Sequence, residues 1–200
     1  MDVQEIRDGL WRWTAPHPDW KPDADWPEQV GCVYYEGPED VVLIDPLVPG
    51  ADEDRFWRAL DRDVERLARP VRVLQTVRWH ERSCARIAER YGGSVWYRGP
   101  RSALPAGVEA IDVEPAEETV FWVHEHRALV PGDVLLAEDG SLEVCPLSWL
   151  PEGTTVERFS AALAPLRALP VELVLVSHGA PILDTGSDAL ARALDHAPRA

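Results

Sequence analysis

The stretch VLQTVRWHERSCARIAERYGG, Val73 to Gly93, constrains the chain more than any other. An apolar run gives way to a polar turn, and the turn to an amphipathic helix. Cys84, Ile87, Ala88 and Tyr91 recur at helical spacing, and Gly92-Gly93 ends the helix. This is the outline of a metal-binding turn, yet it holds one histidine, His80, with Arg82 close by.

The flanking sequence repeats the same alternation. VGCVYYE and VVLIDP read as two strands around the turn GPED. DEDRFWRALDRDVERLA then places Phe56, Leu60, Val64 and Leu67 on one helical face, with Asp52 or Asp54 as the cap. SVWYR is a further strand. TVFWV and RALVPGDVLL predict hairpin strands joined at HEH. TVERFSAALAPLRAL is helical, capped by Thr154 or Thr155 and kinked at Pro165. VELVLVSHG is a buried strand ending in a histidine, and SDALARALDHA a last helix. Strands and helices alternate in each half around a β-rich middle, which fits mixed sheets covered by helices. The 200 residues suit a single domain over 1–200.

Composition excludes several functions. A net charge of −15 repels a phosphate backbone, so no nucleic-acid partner is expected. No apolar run is long enough to span a membrane, and the N-terminal segment lacks a secretory pattern, so the expected compartment is the cytoplasm. The three scattered cysteines form no CxxC and read as structural thiols. There is no GxSxG elbow and no glycine-rich phosphate loop.

Four segments in this order carry a resemblance: VVLIDP, VLQT with its turn and helix, ALVPGDVLL, and LVLVSHG. They resemble the metallo-β-lactamase superfamily, its glyoxalase-II-like branch in particular, from about Ile6 to Leu194. The resemblance implies a four-layer αββα sandwich with two mixed sheets face to face. It also implies metals at one sandwich edge, on a turn motif Thr-His-x-His-x-Asp-His, a bridging aspartate and a C-terminal histidine.

The motif is incomplete here. With Thr76 as anchor, its histidine positions fall on Val77, Trp79 and Arg82, and its aspartate on Glu81. Asp133 matches the bridging carboxylate, His178 the C-terminal ligand and Asp45 the aspartate that supports the turn. The region of a further family histidine, VEPAEET, has none. Glu81, Asp133 and His178 are thus the residual metal candidates. A register one residue away brings in His80 instead. The expectation is an eroded binuclear site with no conventional zinc pair and at most one divalent ion. That suits a pseudoenzyme or binding module, or a mononuclear hydrolase of an ester, thioester or similar bond.

Arg82 has donors only and cannot ligate a metal. It is expected to pair with Asp133, Glu81 or Asp45, in the electrostatic place of the lost ion. His124 and His126 form an HxH pair read as a solvated hairpin tip, and His17 and His196 receive no role. Trp20, Trp26, Trp79 and Trp149 are expected to form an apolar mouth that admits a small-molecule ligand. No protein partner is indicated.

Overall fold

The computed structural model describes residues 1–196. Six strands form one mixed sheet in sequence order: β1 (Asp2–Arg7), β2 (Leu10–Pro16), β3 (Gln29–Glu36), β4 (Val41–Ile44), β5 (Val71–Leu74) and β6 (Ser94–Trp96). The first four pair antiparallel, and β4, β5 and β6 run parallel. The parallel steps need crossovers, supplied by α1 (Glu53–Leu67) and α2 (Cys84–Tyr91). A second sheet has the order β12 (Leu173–Val174), β9 (Ala128–Val130), β8 (Glu118–Val123), β7 (Val108–Val113). β10 (Leu135–Glu138) and β11 (Ser141–Val144) make a separate hairpin, and α3 (Val156–Leu163) and α4 (Gly186–Asp195) complete the fold.

Side-chain alternation builds the layers. In β4, Val42 and Ile44 point between the sheets with Val33 and Tyr35, where they meet Phe121 and Val123 of β8. Val41 and Leu43 point the other way and pack under Phe56 and Leu60 of α1 and Ile87 of α2. Val120 and Trp122 cover the far face of the second sheet with Phe159 of α3 and Leu190 of α4. Three apolar interfaces thus separate four layers in the order helix, sheet, sheet, helix. No helix among the described residues is long and apolar enough to cross a membrane.

Several local expectations are corrected. Asp52 stands at the start of α1, but its side chain makes no cap bond there; it takes the amino terminus at 2.6 Å. The helix after the turn begins at Cys84, three residues later than Glu81. Residues Arg78–Glu81 form a 3-10 turn, and Arg82 has φ 37° and ψ −115°, which no helix continues. RALVPGDVLL is not one strand: β9 stops at Val130, and Pro131-Gly132-Asp133 turns the chain out to β10. Of the HxH pair, His124 is exposed beside Glu109, whereas His126 is buried against the Tyr35 ring.

The chain after β12 crosses from one sheet to the other. Leu175 N–H still bonds to Leu129 of β9, while Gly31 N–H of β3 bonds to Ser177. Arg12 of β2 donates to the carbonyls of Val176 and Gly179, at 3.1 and 2.8 Å, and so brackets His178. Gly179 has φ +94°, and a Cβ there would stand 1.9 Å from the Ala137 carbonyl oxygen. Gly179→Ala is therefore expected to cost about 3 kcal/mol or more. Chemical denaturation would check it; an unchanged midpoint would contradict the close approach.

Candidate metal site

Asp45 ends β4 with φ 47°, a conformation that turns its side chain under the next crossover. One carboxylate oxygen accepts from Thr76 N–H at 2.8 Å. The other takes the Thr76 hydroxyl and lies 2.8 Å from His80 Nδ1. Gln75 shapes the turn by donating to the carbonyls of Val77 and Arg78. The 3-10 turn then directs His80 inward, where it is 4 % exposed, and leaves Glu81 exposed on the outside.

Asp133 arrives from the turn after β9. Glu118, 1 % exposed at the start of β8, accepts the N–H groups of Gly132, Asp133 and Val134 at 2.8, 2.7 and 3.0 Å. Gly132 lets this turn lie against Thr76, because a Cβ would come within 2.5 Å of the threonine hydroxyl. Burial, and then the charge of Asp133, push the Glu118 carboxyl above the usual range, against the N–H groups of Asp133 and Gly132.

His80 Nε2 and His178 Nε2 lie 3.2 and 3.1 Å from Asp133 Oδ1. The angles are not those of hydrogen bonds: buried Oδ1 has no hydrogen-bond partner, and neither has His178 Nδ1. The three residues form a group whose ligand atoms lie within 4.8 Å of one another. Two imidazoles and a carboxylate suit a single divalent ion, with positions left open. The carboxylate of Asp45 on Nδ1 fixes the His80 ring, as ligating histidines require. Burial opposes charge on Asp133, but His80 and His178 outweigh it and hold the carboxyl well below its ordinary value. Burial and Arg82 oppose a charged His80, but Asp133 and Asp45 outweigh them and lift it to about 9.

The other oxygen of Asp133 accepts from Trp79 Nε1 at 2.5 Å. Val77, at another motif position, is fully buried in the core. Arg82 reaches the site but makes no carboxylate bond. Its guanidinium donates to the backbone carbonyls of Gly31 and Asp45 at 3.0 and 2.9 Å and to the Ser177 hydroxyl at 2.7 Å. A carbonyl near the start of β3 and another just past β4 hold it, so the expected pairing of Arg82 with a carboxylate does not form.

A cavity of about 350 Å³ opens over the cluster. Trp26, Trp79, Trp149 and Arg82 line it, together with His17, Asp19 and Asp25. Trp20 is not in its wall; its N–H props the loop by bonding to the Trp26 carbonyl. His17, which the sequence left without a role, faces Trp26 at a ring distance of 5.3 Å, and burial lowers its pKa. Glu118 and Ser177 were also missed. Glu118 acts on backbone groups distant in sequence and has no motif of its own.

No family model matches the sequence, and no curated protein does. Solved structures match along nearly the whole chain. A metallo-β-lactamase from Erythrobacter litoralis, with β-mercaptoethanol in its active site, superposes with a TM-score of 0.69 at 14% identity, covering 96% of this chain and 94% of that one. The DIM-1 metallo-β-lactamase exposed to ceftazidime gives 0.61 at 10% identity, covering 97% and 94%. A metallo-β-lactamase from Pontibacter korlensis gives 0.57 at 14% identity, covering 97% of each chain. Identities this low speak for the backbone architecture and not for activity. The chain has the metallo-β-lactamase fold.

Proposed function

We propose that the protein holds one divalent metal ion on His80, Asp133 and His178, having lost the binuclear centre, and hydrolyses an ester, thioester or similar bond. The observation that carries this reading is the convergence of two Nε2 atoms on an Asp133 oxygen that has no hydrogen-bond partner. Erosion to one ion is supported by Val77 and Trp79 at former ligand positions and by the indole N–H on the second Asp133 oxygen. An ion held there supplies Lewis-acid polarisation of a carbonyl and a more acidic water.

The protein's own groups do the rest. Asp45 holds the His80 tautomer by accepting at Nδ1. Arg82, fixed by two carbonyls and a hydroxyl, contributes a standing positive charge to the cavity wall, favourable to an oxygen that gains negative charge. His17, kept neutral by burial, is a cavity imidazole outside the cluster and is suited to move a proton.

Protein purified without chelator is expected to carry about one equivalent of zinc, manganese or iron, lost in His178→Ala. Elemental analysis below about a tenth of an equivalent, with the fold intact by circular dichroism, refutes the reading.

A second reading, a metal-free binding pocket, is favoured by His80, whose ring nitrogens face Asp45 and Asp133 at 2.8 and 3.2 Å. Protonated, that ring pairs with both carboxylates and offsets one of their two charges. The two readings differ in pH dependence. In metal-free protein the His80 pKa of about 9 lies above its ordinary 6.5. The stabilisation is complete below about pH 6.5 and is lost as pH rises through 9, on the order of 3 kcal/mol in all. An ion held by His80 would take the place of that proton, so loaded protein would lack this loss, and metal affinity would rise with pH. Melting curves of chelated and loaded protein between pH 6 and 9.5 check this; identical slopes contradict it.

A further inference from the structure

The mouth of the cavity differs in character from its floor. Trp79 is 51 % exposed, although its N–H is anchored to buried Asp133. A large indole fixed at one edge with half its surface bare, and with no ring or cation stacked on it among the described residues, is a stacking platform. Trp26 and Trp149 stand beside it in the same wall, their ring centroids 5.7 and 5.9 Å from the His178 ring.

The charges around the cavity favour one sign of ligand. Arg82 and Asp133 line the floor with opposite charges, Arg82 held by two carbonyls and a hydroxyl and Asp133 by the Trp79 indole. His17 is neutral near pH 7. His80, on the floor, stands between Asp45 and Asp133 at 2.8 and 3.2 Å, and these two carboxylates outnumber its charge. The charged groups at the exposed rim are Asp19 and Asp25, both negative, and Asp25 also accepts from Trp149 Nε1. They belong to the overhanging segment 17–28, HPDWKPDADWPE, with four acids against Lys21 alone. The whole chain, at −15, attracts cations and repels anions. Indole faces bind cations through the ring quadrupole, and carboxylates at the rim add to that attraction. A volume of about 350 Å³ admits a small molecule and little more.

We infer that Trp26, Trp79 and Trp149, with Asp19 and Asp25, bind the ammonium end of a small cationic ligand. Combined with the hydrolase reading, on which this clause rests, the substrate is an ammonium-bearing ester or thioester whose carbonyl faces His80, Asp133 and His178. Ammonium binding itself needs no metal, so it is tested on chelated protein, and metal content is measured separately.

The test titrates choline, its uncharged isostere 3,3-dimethyl-1-butanol and anionic 3,3-dimethylbutyrate, following tryptophan fluorescence and calorimetry. Choline is expected to bind about 10-fold more tightly than the neutral alcohol, and the carboxylate most weakly. Raising salt from about 0.05 to 0.5 M weakens choline alone. The double variant Asp19→Asn, Asp25→Asn keeps an acceptor for Trp149 N–H and removes both charges. It is expected to weaken choline at least about 5-fold and leave the alcohol unchanged. Trp79→Leu weakens choline with the fold intact. Equal binding of alcohol and choline, preference for the carboxylate, no binding by any of the three, or choline affinity unaffected by the double variant overturns the inference.

Discussion

Asp133→Asn is expected to lower bound metal from about one equivalent to less than a tenth and to weaken affinity by at least about 100-fold. The amide matches the carboxylate in shape, so Trp79 N–H can still find an acceptor. What it lacks is the charge on which both imidazoles converge. In the metal-free state the same change removes a partner of charged His80, at about 3 kcal/mol. Metal content and a denaturant melt on one preparation separate the two effects. Full metal retention by the variant would mean that the ligands lie elsewhere.

Asp45→Ala is expected to be the most destabilising change near the site. The carboxylate is 3 % exposed and accepts from Thr76 N–H, the Thr76 hydroxyl and His80 Nδ1. Alanine leaves the Thr76 N–H without its acceptor, leaves Thr76 Oγ1 and His80 Nδ1 only each other at 3.1 Å, and keeps the φ of 47°, which suits it poorly. The cost is about 3–5 kcal/mol, or a fall in melting temperature of about 10 °C. Any folded fraction should bind metal about 10–100-fold more weakly, because the His80 ring has lost its guide. A variant with unchanged melting would show that the Thr76–Asp45–His80 network is not holding the turn.

The sequence announced the architecture where strands are apolar on both faces. VVLIDP and VLQT are continuous apolar runs because each side chain is buried, alternately between sheets and under helices. Asp45, Asp133 and His178 were legible for a related reason: each is a polar residue at the end of such a run, where a strand delivers it to the sandwich edge. The choice between Glu81 and His80 was not legible. It depends on a 3-10 turn over Arg78–Glu81 and on the left-handed Arg82, which rotate the residues relative to an α-helical start. Arg82's partners were hidden too, because Gly31 and Asp45 offer backbone carbonyls, which no side-chain motif encodes. Asp25 and His17 sit on a proline-rich loop whose path is set by packing against Trp26 and Trp149 rather than by periodicity.

The bond from Trp149 Nε1 to Asp25, 2.8 Å and exposed, joins two chain segments 124 residues apart across the cavity rim. It works as a latch. A single solvent-facing hydrogen bond is worth about 1 kcal/mol, so the latch stands open roughly one part in six by itself. An incoming molecule that competes for the aspartate therefore displaces a contact of that size and no part of the sandwich.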